Sequence, residues 1–419
     1  MTLRPWVLPL ALAAALALTT ATAAADGDGP GAAVHIIYFH AQDDPLDEGL
    51  LAAFRGGLEE VRRWYGQRLG TTFRRTNVEV VTGEKATVGY CAELPCQPSA
   101  QSQALFWAVV DELRQRGYMD GDAVYLVAVQ TYEISSTMGQ PGGPWYSDEG
   151  GGFATFGRGP LEMVAICDDG CRERRSALGT LAHELGHAFN LPHPESSVDP
   201  SGQVVCHGPC EETVMWNYAS YPDVGFLDTP EYPETTALRQ SPFFTVSVDT
   251  IALKAGWNQV SLPLAPEDAA AAAVLASLHP ALGVAFAWDA AAGSWLSYDP
   301  HLGLSPLRLG TGAGFWLWLE RDATLVVLGM PTDALALRLA PGWNLVGYPF
   351  TRPLPVIQAL ASIQGEYTAI HTWDAAQGRW LSYFPALGDG ALQELRPGLG
   401  YWLYATQEAT LTLEAPAAP

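Results

Sequence analysis

The sequence predicts an α+β domain in its N-terminal half and two small, mostly-β modules after it. Strand-like apolar runs alternate with segments of helical period between residues 34 and 190, an order that indicates a sheet flanked by helices. Beyond residue 246 the sequence repeats itself at a spacing of 85 to 86 residues, which indicates two copies of one fold. With 419 residues, the chain is long enough for two or three domains.

The N-terminal half supplies the strands and helices of the predicted sheet. Compact apolar runs predict strands, which we place at residues 34–40, 77–81, 123–130, 152–157 and 161–167. Apolar residues at helical spacing predict helices, which we place at residues 46–69, 101–116 and 172–190. Because residues 139–151 before it are rich in turn-forming residues, we expect the strand at 152–157 to form an edge of the sheet.

The first 25 residues predict a secretory signal. They combine a basic residue, Arg4, with an apolar core at residues 6–18 and with small residues at Ala21, Ala23 and Ala25 that suit cleavage. The core is short for a bilayer span, and no later segment reaches about 18 uninterrupted apolar residues. We therefore expect a secreted, extracellular protein with no membrane span after signal cleavage. An uncleaved signal anchor is the alternative.

The chain is strongly acidic. It has 45 Asp and Glu against 22 Lys and Arg, a formal net charge of −23. Such a surface repels nucleic acids and anionic membranes. The composition therefore excludes nucleic acid as a partner and suits an extracellular protein that stays in solution.

The six cysteines occur as three close pairs. In an exported chain, an even number of cysteines predicts disulfides, and we favour pairing between neighbours, although the sequence alone leaves the connectivity open. The pairs are Cys91 with Cys96, Cys167 with Cys171, and Cys206 with Cys210. A metal cluster built from Cys206, His207 and Cys210 is the alternative for the third pair.

Residues 180–193, TLAHELGHAFNLPH, carry the chemistry of the N-terminal half. His183 and His187 are four residues apart on a predicted helix, so both imidazoles lie on one face and can bind one metal ion. Glu184 is next to the first histidine, where it can reach a water at the metal without binding the metal itself. Asn190 tolerates the left-handed backbone that turns the chain at a helix end, which lets His193 return to the same ion.

The run resembles the zinc-protease signature of the metzincins, H-E-x-x-H-x-x-G-x-x-H, with Asn190 in place of the glycine. Metzincins also have a methionine turn beneath the zinc, for which Met215 is the candidate here. Tyr218 follows that methionine by three residues, whereas some metzincins have a tyrosine two residues after it. The residue after the third histidine is Pro194, which assigns no subfamily. The resemblance covers roughly residues 33–230.

The resemblance implies a secreted zinc metalloendopeptidase. One catalytic Zn²⁺ would be bound by His183, His187 and His193, and Glu184 would serve as general base toward a metal-activated water. Tyr218 is a candidate for transition-state support, and nothing in the sequence supports a structural Ca²⁺. A protein or peptide substrate is expected, and by the resemblance it would pair with the edge strand at 152–157. That segment is otherwise a plain surface hairpin.

The predicted domains follow from these features. We divide the chain into a signal peptide (1–25), a catalytic domain (26–232), a linker (233–246) and two β-rich modules (247–330 and 331–416). Most tryptophans of the modules occupy strand-like runs and are expected to be core anchors. The alternative is a sugar-binding platform, with a cell-surface or polysaccharide ligand. Two alternative functions accompany these predictions: a surface- or glycan-binding protein with a degenerate zinc domain, and a zinc hydrolase acting on a non-peptide amide.

Overall fold

A computed structural model describes most of the chain. The described residues are 32–91, 98–118, 123–131, 138–141, 152–167, 170–194, 196–198, 204–302 and 305–416. The predicted signal peptide and Cys96 lie outside them. No helix in these ranges is both long enough and apolar enough to cross a membrane.

The N-terminal half is built on a five-stranded mixed sheet. Its strands are arranged in the order Arg75–Thr82, Val34–His40, Val124–Val129, Gly152–Phe156 and Met138–Pro141. The first four are parallel, and the last is antiparallel to its neighbour. The two central strands are almost completely buried, as their continuous apolar sequences predict for strands covered on both faces.

Helices cover both faces of this sheet. The helices Glu48–Leu69 and Arg172–Ala188 pack on the face that presents Ile36 and Tyr38. The helix Pro98–Gln115 packs on the opposite face. Successive residues of a strand point to opposite faces, so both layers need apolar side chains from the same strand. The mixed α+β architecture agrees with the fold class predicted for this half.

Two predictions for the sheet were wrong. The strand Gly152–Phe156 is not an edge, because it is paired on both sides, and among the described residues Met138–Pro141 forms the edge on this side of the sheet. Residues 161–167 are not a strand, since Arg158–Ile166 forms a helix. A short apolar run fits either structure. The helix is favoured by Leu161 and Val164, buried three residues apart, and by the ion pair of Arg158 with Glu162, at 2.8 Å and four residues apart.

The N-terminal half is joined to the first repeat by paired backbone and a buried charge. Residues Thr71–Thr72 add a short strand to the sheet of the first repeat by pairing with Val246–Leu253. The guanidinium of Arg62 is 2.7 Å from a carboxylate oxygen of Glu267 and also donates to the carbonyl of Phe73. The predicted linker, residues 233–246, contains the helix Glu234–Gln240, whose Leu238 belongs to the N-terminal core.

The two sequence repeats have the same architecture, each with its own hydrophobic core. The first contains a four-stranded antiparallel sheet in the order Gly256–Ser261, Gly314–Leu319, Leu282–Asp289 and Ser294–Tyr298. The second contains the equivalent order Gly342–Gly347, Gly400–Ala405, Tyr367–Asp374 and Arg379–Phe384, with the short strand Asp389–Gly390 added. Each repeat adds a further strand pair, Val246–Leu253 with Ala323–Met330 and Ala334–Leu339 with Ala409–Glu414.

Local pairing of the cysteines is confirmed where both partners are described. Cys167 is bonded to Cys171, and Cys206 is bonded to Cys210. Because both sulfurs of the latter pair are used, the alternative metal cluster with His207 is wrong, and the Nε2 of His207 lies 2.6 Å from the hydroxyl of Ser197. The partner of Cys91 stays a prediction, since Cys96 lies outside the described residues.

Candidate metal centre

Three imidazoles meet at one point on the side of the helix Arg172–Ala188. The Nε2 atoms of His183 and His187 are 3.1 Å apart, and that of His193 lies 3.0 Å from His187 and 3.1 Å from His183. His183 is buried, His187 is half-buried and His193 is exposed. The structure therefore brings together the three histidines predicted from the sequence, with one side of the cluster open to solvent.

The turn that returns His193 to the helix is a Schellman motif centred on Asn190. Asn190 has a φ of 70° and is the one non-glycine residue with positive φ among those the structure describes. Its N–H donates to the carbonyl of His187 at 2.8 Å, and the N–H of Leu191 donates to the carbonyl of Gly186 at 2.9 Å. The left-handed residue expected from the sequence is thus present, and Asn fills the position that usually requires glycine.

Backbone carbonyls fix which ring nitrogen carries the proton in two of the imidazoles. The Nδ1 of His183 is 2.9 Å from the carbonyl oxygen of Val214, and the Nδ1 of His187 is 2.8 Å from that of Leu191. A carbonyl oxygen only accepts hydrogen bonds, so each Nδ1 must donate. Each Nε2 is then a bare lone pair, and both lone pairs face the common point. Such partners are typical of the ligands in metal sites.

The three imidazoles are held in the neutral form. Burial lowers the pKa of His183 to about 4, and burial also lowers the pKa values of His187 and His193. The neighbouring imidazoles lower the pKa of His183 further, against the raising effect of its bond to Val214. At neutral pH the cluster therefore presents lone pairs rather than positive charges.

The arrangement fits one transition-metal ion. With metal–nitrogen distances of about 2.0 to 2.1 Å, tetrahedral coordination separates the ligand nitrogens by about 3.3 Å, close to the spacing in this cluster. Lone pairs at these separations repel one another unless a cation lies between them. Three neutral imidazoles with one side open are a ligand set found for catalytic zinc, and imidazole also binds copper, iron and nickel.

The methionine turn, residues Val214–Asn217, supports the cluster from below. Its carbonyl at Val214 holds His183, and the buried side chain of Met215 packs against Gly186, between the two helical histidines. A Cβ at Gly186 would run into the sulfur of Met215. Two turns earlier, a Cβ at Gly179 would run into the carbonyl oxygen of Tyr218. The turn can therefore approach the helix only because both helical positions lack a side chain.

A buried carboxyl group holds the methionine turn in place. The hydroxyl of Thr213 accepts a hydrogen bond from the N–H of Met215 at 3.0 Å and donates one to Oε2 of Glu234 at 2.7 Å. The same Oε2 accepts from the N–H of Leu227 at 2.8 Å. Burial raises the pKa of Glu234, against the lowering effect of these two bonds.

The remaining predicted residues are close to the histidines in the sequence or in space. Glu184 is half-buried on the helix immediately after His183. The ring of Tyr218 lies 5.0 Å from the ring of His183, centre to centre, although the tyrosine is three residues beyond the methionine. The ring of Trp216, which no sequence pattern singled out, lies 6.4 Å from that of His193.

Comparisons with known proteins add little to this geometry. No protein-family model matches the chain, and no curated protein matches it either. Wild-type OgpA from Akkermansia muciniphila aligns over 75% of this chain and 88% of its own, at 16% identity and a TM-score of 0.33. Catalytically inactive OgpA in complex with an O-glycopeptide, glycodrosocin, aligns over 75% and 89%, at 14% identity and a TM-score of 0.29. Scores this low establish neither a shared fold nor a shared activity, so the function must be inferred from the site itself.

Sequence reasoning missed several groups that build the site. The carbonyls of Val214 and Leu191 leave no side-chain signal, because any residue could supply them. Gly179 and Gly186 did leave a signal in the sequence. Glycine in the interior of a helix is unfavourable by about 1 kcal/mol relative to alanine, so its presence there indicates a close approach of another part of the chain. Glu234 lies in a stretch read as linker, and only the structure shows that it is buried.

The close approach of Met215 predicts an unusual response to alanine. In most helices a Gly→Ala change is neutral or stabilising by up to about 1 kcal/mol. Gly186→Ala is expected to lower the thermal unfolding midpoint and weaken metal binding about tenfold, as changes to the groups that support metal ligands do. Chelator competition measures the affinity. The control is Gly56→Ala, at an exposed helical position where no described atom lies within 4 Å of the added Cβ. Equal behaviour of the two variants would contradict the packing argument.

The raised pKa of Glu234 predicts a pH-dependent contribution to stability. The native state binds this proton more tightly than the unfolded chain does. The resulting stabilisation is present below the ordinary pKa of glutamate and is lost as pH rises through the raised native pKa. Glu234→Gln cannot ionise and keeps an oxygen for Thr213 and Leu227. Its free energy of unfolding should therefore fall less than that of the wild type between about pH 5 and pH 8. Glu231→Gln, at an exposed position, is the control, and parallel pH curves for Glu234→Gln and the wild type would refute the prediction.

Proposed function

We propose that this protein is a secreted, zinc-dependent endopeptidase of the metzincin type. The observation that carries the proposal is the convergence of the three Nε2 atoms of His183, His187 and His193, with Glu184 on the helix that carries the first two. The neutral imidazoles, the open side of the cluster and the methionine beneath it support the same conclusion. The alternative function requires a degenerate zinc domain. Nothing supports such a domain, since a histidine is present at every predicted ligand position.

The residues divide the chemistry between them. Bound zinc would polarise the scissile carbonyl and lower the pKa of a water molecule at the open side of the cluster. Glu184 takes the proton from the attacking water and passes it to the leaving amine, as a general base and then a general acid. A carboxylate one residue from a metal ligand suits this role, because the helix fixes its position relative to the cluster. The hydroxyl of Tyr218 is assigned to the oxyanion of the transition state.

The edge strand Met138–Pro141 is the proposed support for the substrate. It pairs on one side with Gly152–Phe156 and is the last strand of the sheet among the described residues. An extended peptide can add to such an edge through main-chain hydrogen bonds, which give affinity without specifying side chains. The helix Arg172–Ala188, which carries the first two histidines, packs against both of these strands. Met138–Pro141 thus takes the substrate-pairing role that was expected for residues 152–157.

Removing the carboxylate beside the cluster tests the proposal. Glu184→Gln keeps the size of the side chain but cannot accept the proton, so peptide hydrolysis should fall by a factor on the order of 10² to 10⁴. Digestion of a mixed peptide library measures the activity, and metal analysis should show about one zinc per chain in both proteins.

The matched control is Glu173→Gln, an exposed position in the first turn of the same helix, which should leave activity unchanged. Wild-type activity in Glu184→Gln would rule the mechanism out. Purified protein that cannot bind zinc would rule out the proposed cofactor.

A further inference from the structure

The tryptophans of the two repeats were expected to be core anchors, and this prediction was wrong. The side chains of Trp257, Trp295, Trp343 and Trp380 are 42 to 48% exposed. In the strand Gly314–Leu319 every second residue is buried, while the tryptophans between them lie on the opposite face of the sheet. The aromatic residues therefore form a surface of their own, on the faces where the two repeats meet.

Two clefts open within this surface. The first has a volume of about 600 Å³ and the second about 580 Å³, each large enough for a ligand or a peptide segment. The first cleft is lined mainly by Trp288, Trp295, Trp343, His371, Trp380 and Trp402. The second is lined by Trp257, Phe286, Trp295, Trp316, Trp373 and Trp380.

The clefts are equivalent sites produced by the duplication. Each residue lining the second corresponds to one lining the first in the other repeat, at the spacing of 85 to 86 residues. The indole N–H of Trp288 donates to the carbonyl of Trp343 at 2.9 Å, and the indole N–H of Trp373 donates to that of Trp257 at 3.1 Å. Trp295 and Trp380 line both clefts, so the two sites share a wall.

Most polar side-chain groups of the clefts are the indole N–H donors of tryptophan. No carboxylate or amide side chain lines either cleft. In the first cleft, the Nδ1 of His371 and the hydroxyl of Ser382 are 2.7 Å apart and share one hydrogen bond. Within the described part of the chain, the indole N–H groups of Trp295, Trp380 and Trp402 have no acceptor. A ligand with apolar faces and acceptor groups therefore matches the indole rings and their N–H groups.

The repeats are acidic, which favours some of these ligands over others. Residues 243–419 contain fourteen Asp and Glu against seven Lys and Arg. In the described residues, no Lys or Arg of this chain is stacked on a ring of either cleft. Indole faces attract cations, and an acidic surface strengthens that attraction. The clefts therefore favour a ligand that brings its own positive charge.

We propose that the paired clefts bind a basic, proline-rich polypeptide segment in the polyproline II conformation. Proline rings supply the apolar faces, and backbone carbonyls accept from the indole N–H groups without a donor at each proline. Lysine or arginine between the prolines is attracted by the acidic surface and by the indole faces. Such a segment repeats along its length, so successive parts of it fit two equivalent clefts that share a wall. The identification of the segment as part of a substrate rests on the proposed function. The binding of the segment to the clefts does not.

Binding of a synthetic peptide to the full chain tests the proposal. The probe is a peptide of Lys-Pro-Pro-Arg-Pro-Pro repeats, titrated calorimetrically into the Glu184→Gln protein so that cleavage cannot interfere. We expect binding that weakens at least about tenfold when the prolines are replaced by alanine or the basic residues by glutamate. Cello- and chito-oligosaccharides should not bind. Absence of peptide binding, or oligosaccharide binding that competes with it, would overturn the proposal.

Variants of the common wall locate the site. Trp295→Ala and Trp380→Ala should each weaken peptide binding about tenfold or more, because central aromatic contacts dominate such interfaces. Ile357→Ala is the control, since Ile357 is 64% exposed on the second repeat and lines neither cleft. Trp295→Tyr serves as a second variant that preserves packing if the alanine variant fails to fold. Equal losses in Ile357→Ala and Trp295→Ala would overturn the assignment. Hydrolysis of short peptides by the wild-type enzyme is measured separately, so failure of one proposal leaves the other testable.

Discussion

The structure of the N-terminal half depends on three uncharged imidazoles facing one another. Carbonyl oxygens of Val214 and Leu191 hold the protons of two rings on Nδ1, and burial keeps the rings neutral, so lone pairs meet at separations of 3.0 to 3.1 Å. Without a positive ion, this arrangement is repulsive, and the Nε2 of the buried His183 has no donor facing it. With one, the same geometry is favourable, and metal-binding free energy contributes to the stability of the fold.

The surrounding residues follow from this constraint. The helix must end where its last turn can reverse direction, which Asn190 permits at a φ of 70°. The methionine turn must come close enough for a carbonyl to reach His183, which requires glycine at position 186. The helix itself is held from the other side by the buried hydroxyl of Tyr65, which donates to the carbonyl of Ala182 at 2.7 Å, one residue before the first ligand. Rigid elements on both sides thus fix the ligands before a metal binds.

Much of the site could be predicted because its signals are local. Histidines four residues apart share a helical face, and Asn190 followed by Pro192 marks a helix end. The remainder depends on contacts between distant parts of the chain. Nothing in the sequence pairs Val214 with a histidine 31 residues earlier. The strand predicted at 161–167 failed because a short apolar run carries no period, and the tryptophans were misassigned because alternation along a strand does not say which face is the core. In the repeats, both faces are apolar, and only the docking of one repeat on the other distinguishes them.

X-ray absorption at the zinc edge of the purified, zinc-loaded protein decides whether the ion lies at the three histidines, because it reports the ligands of the ion itself. We expect three imidazole nitrogens at about 2.0 to 2.1 Å and one further light ligand at the open side. His193→Ala should lose one of the imidazole contributions. A spectrum with sulfur ligands, or with an all-oxygen shell and no imidazole scattering, would show instead that the ion lies away from the point where the three Nε2 atoms meet.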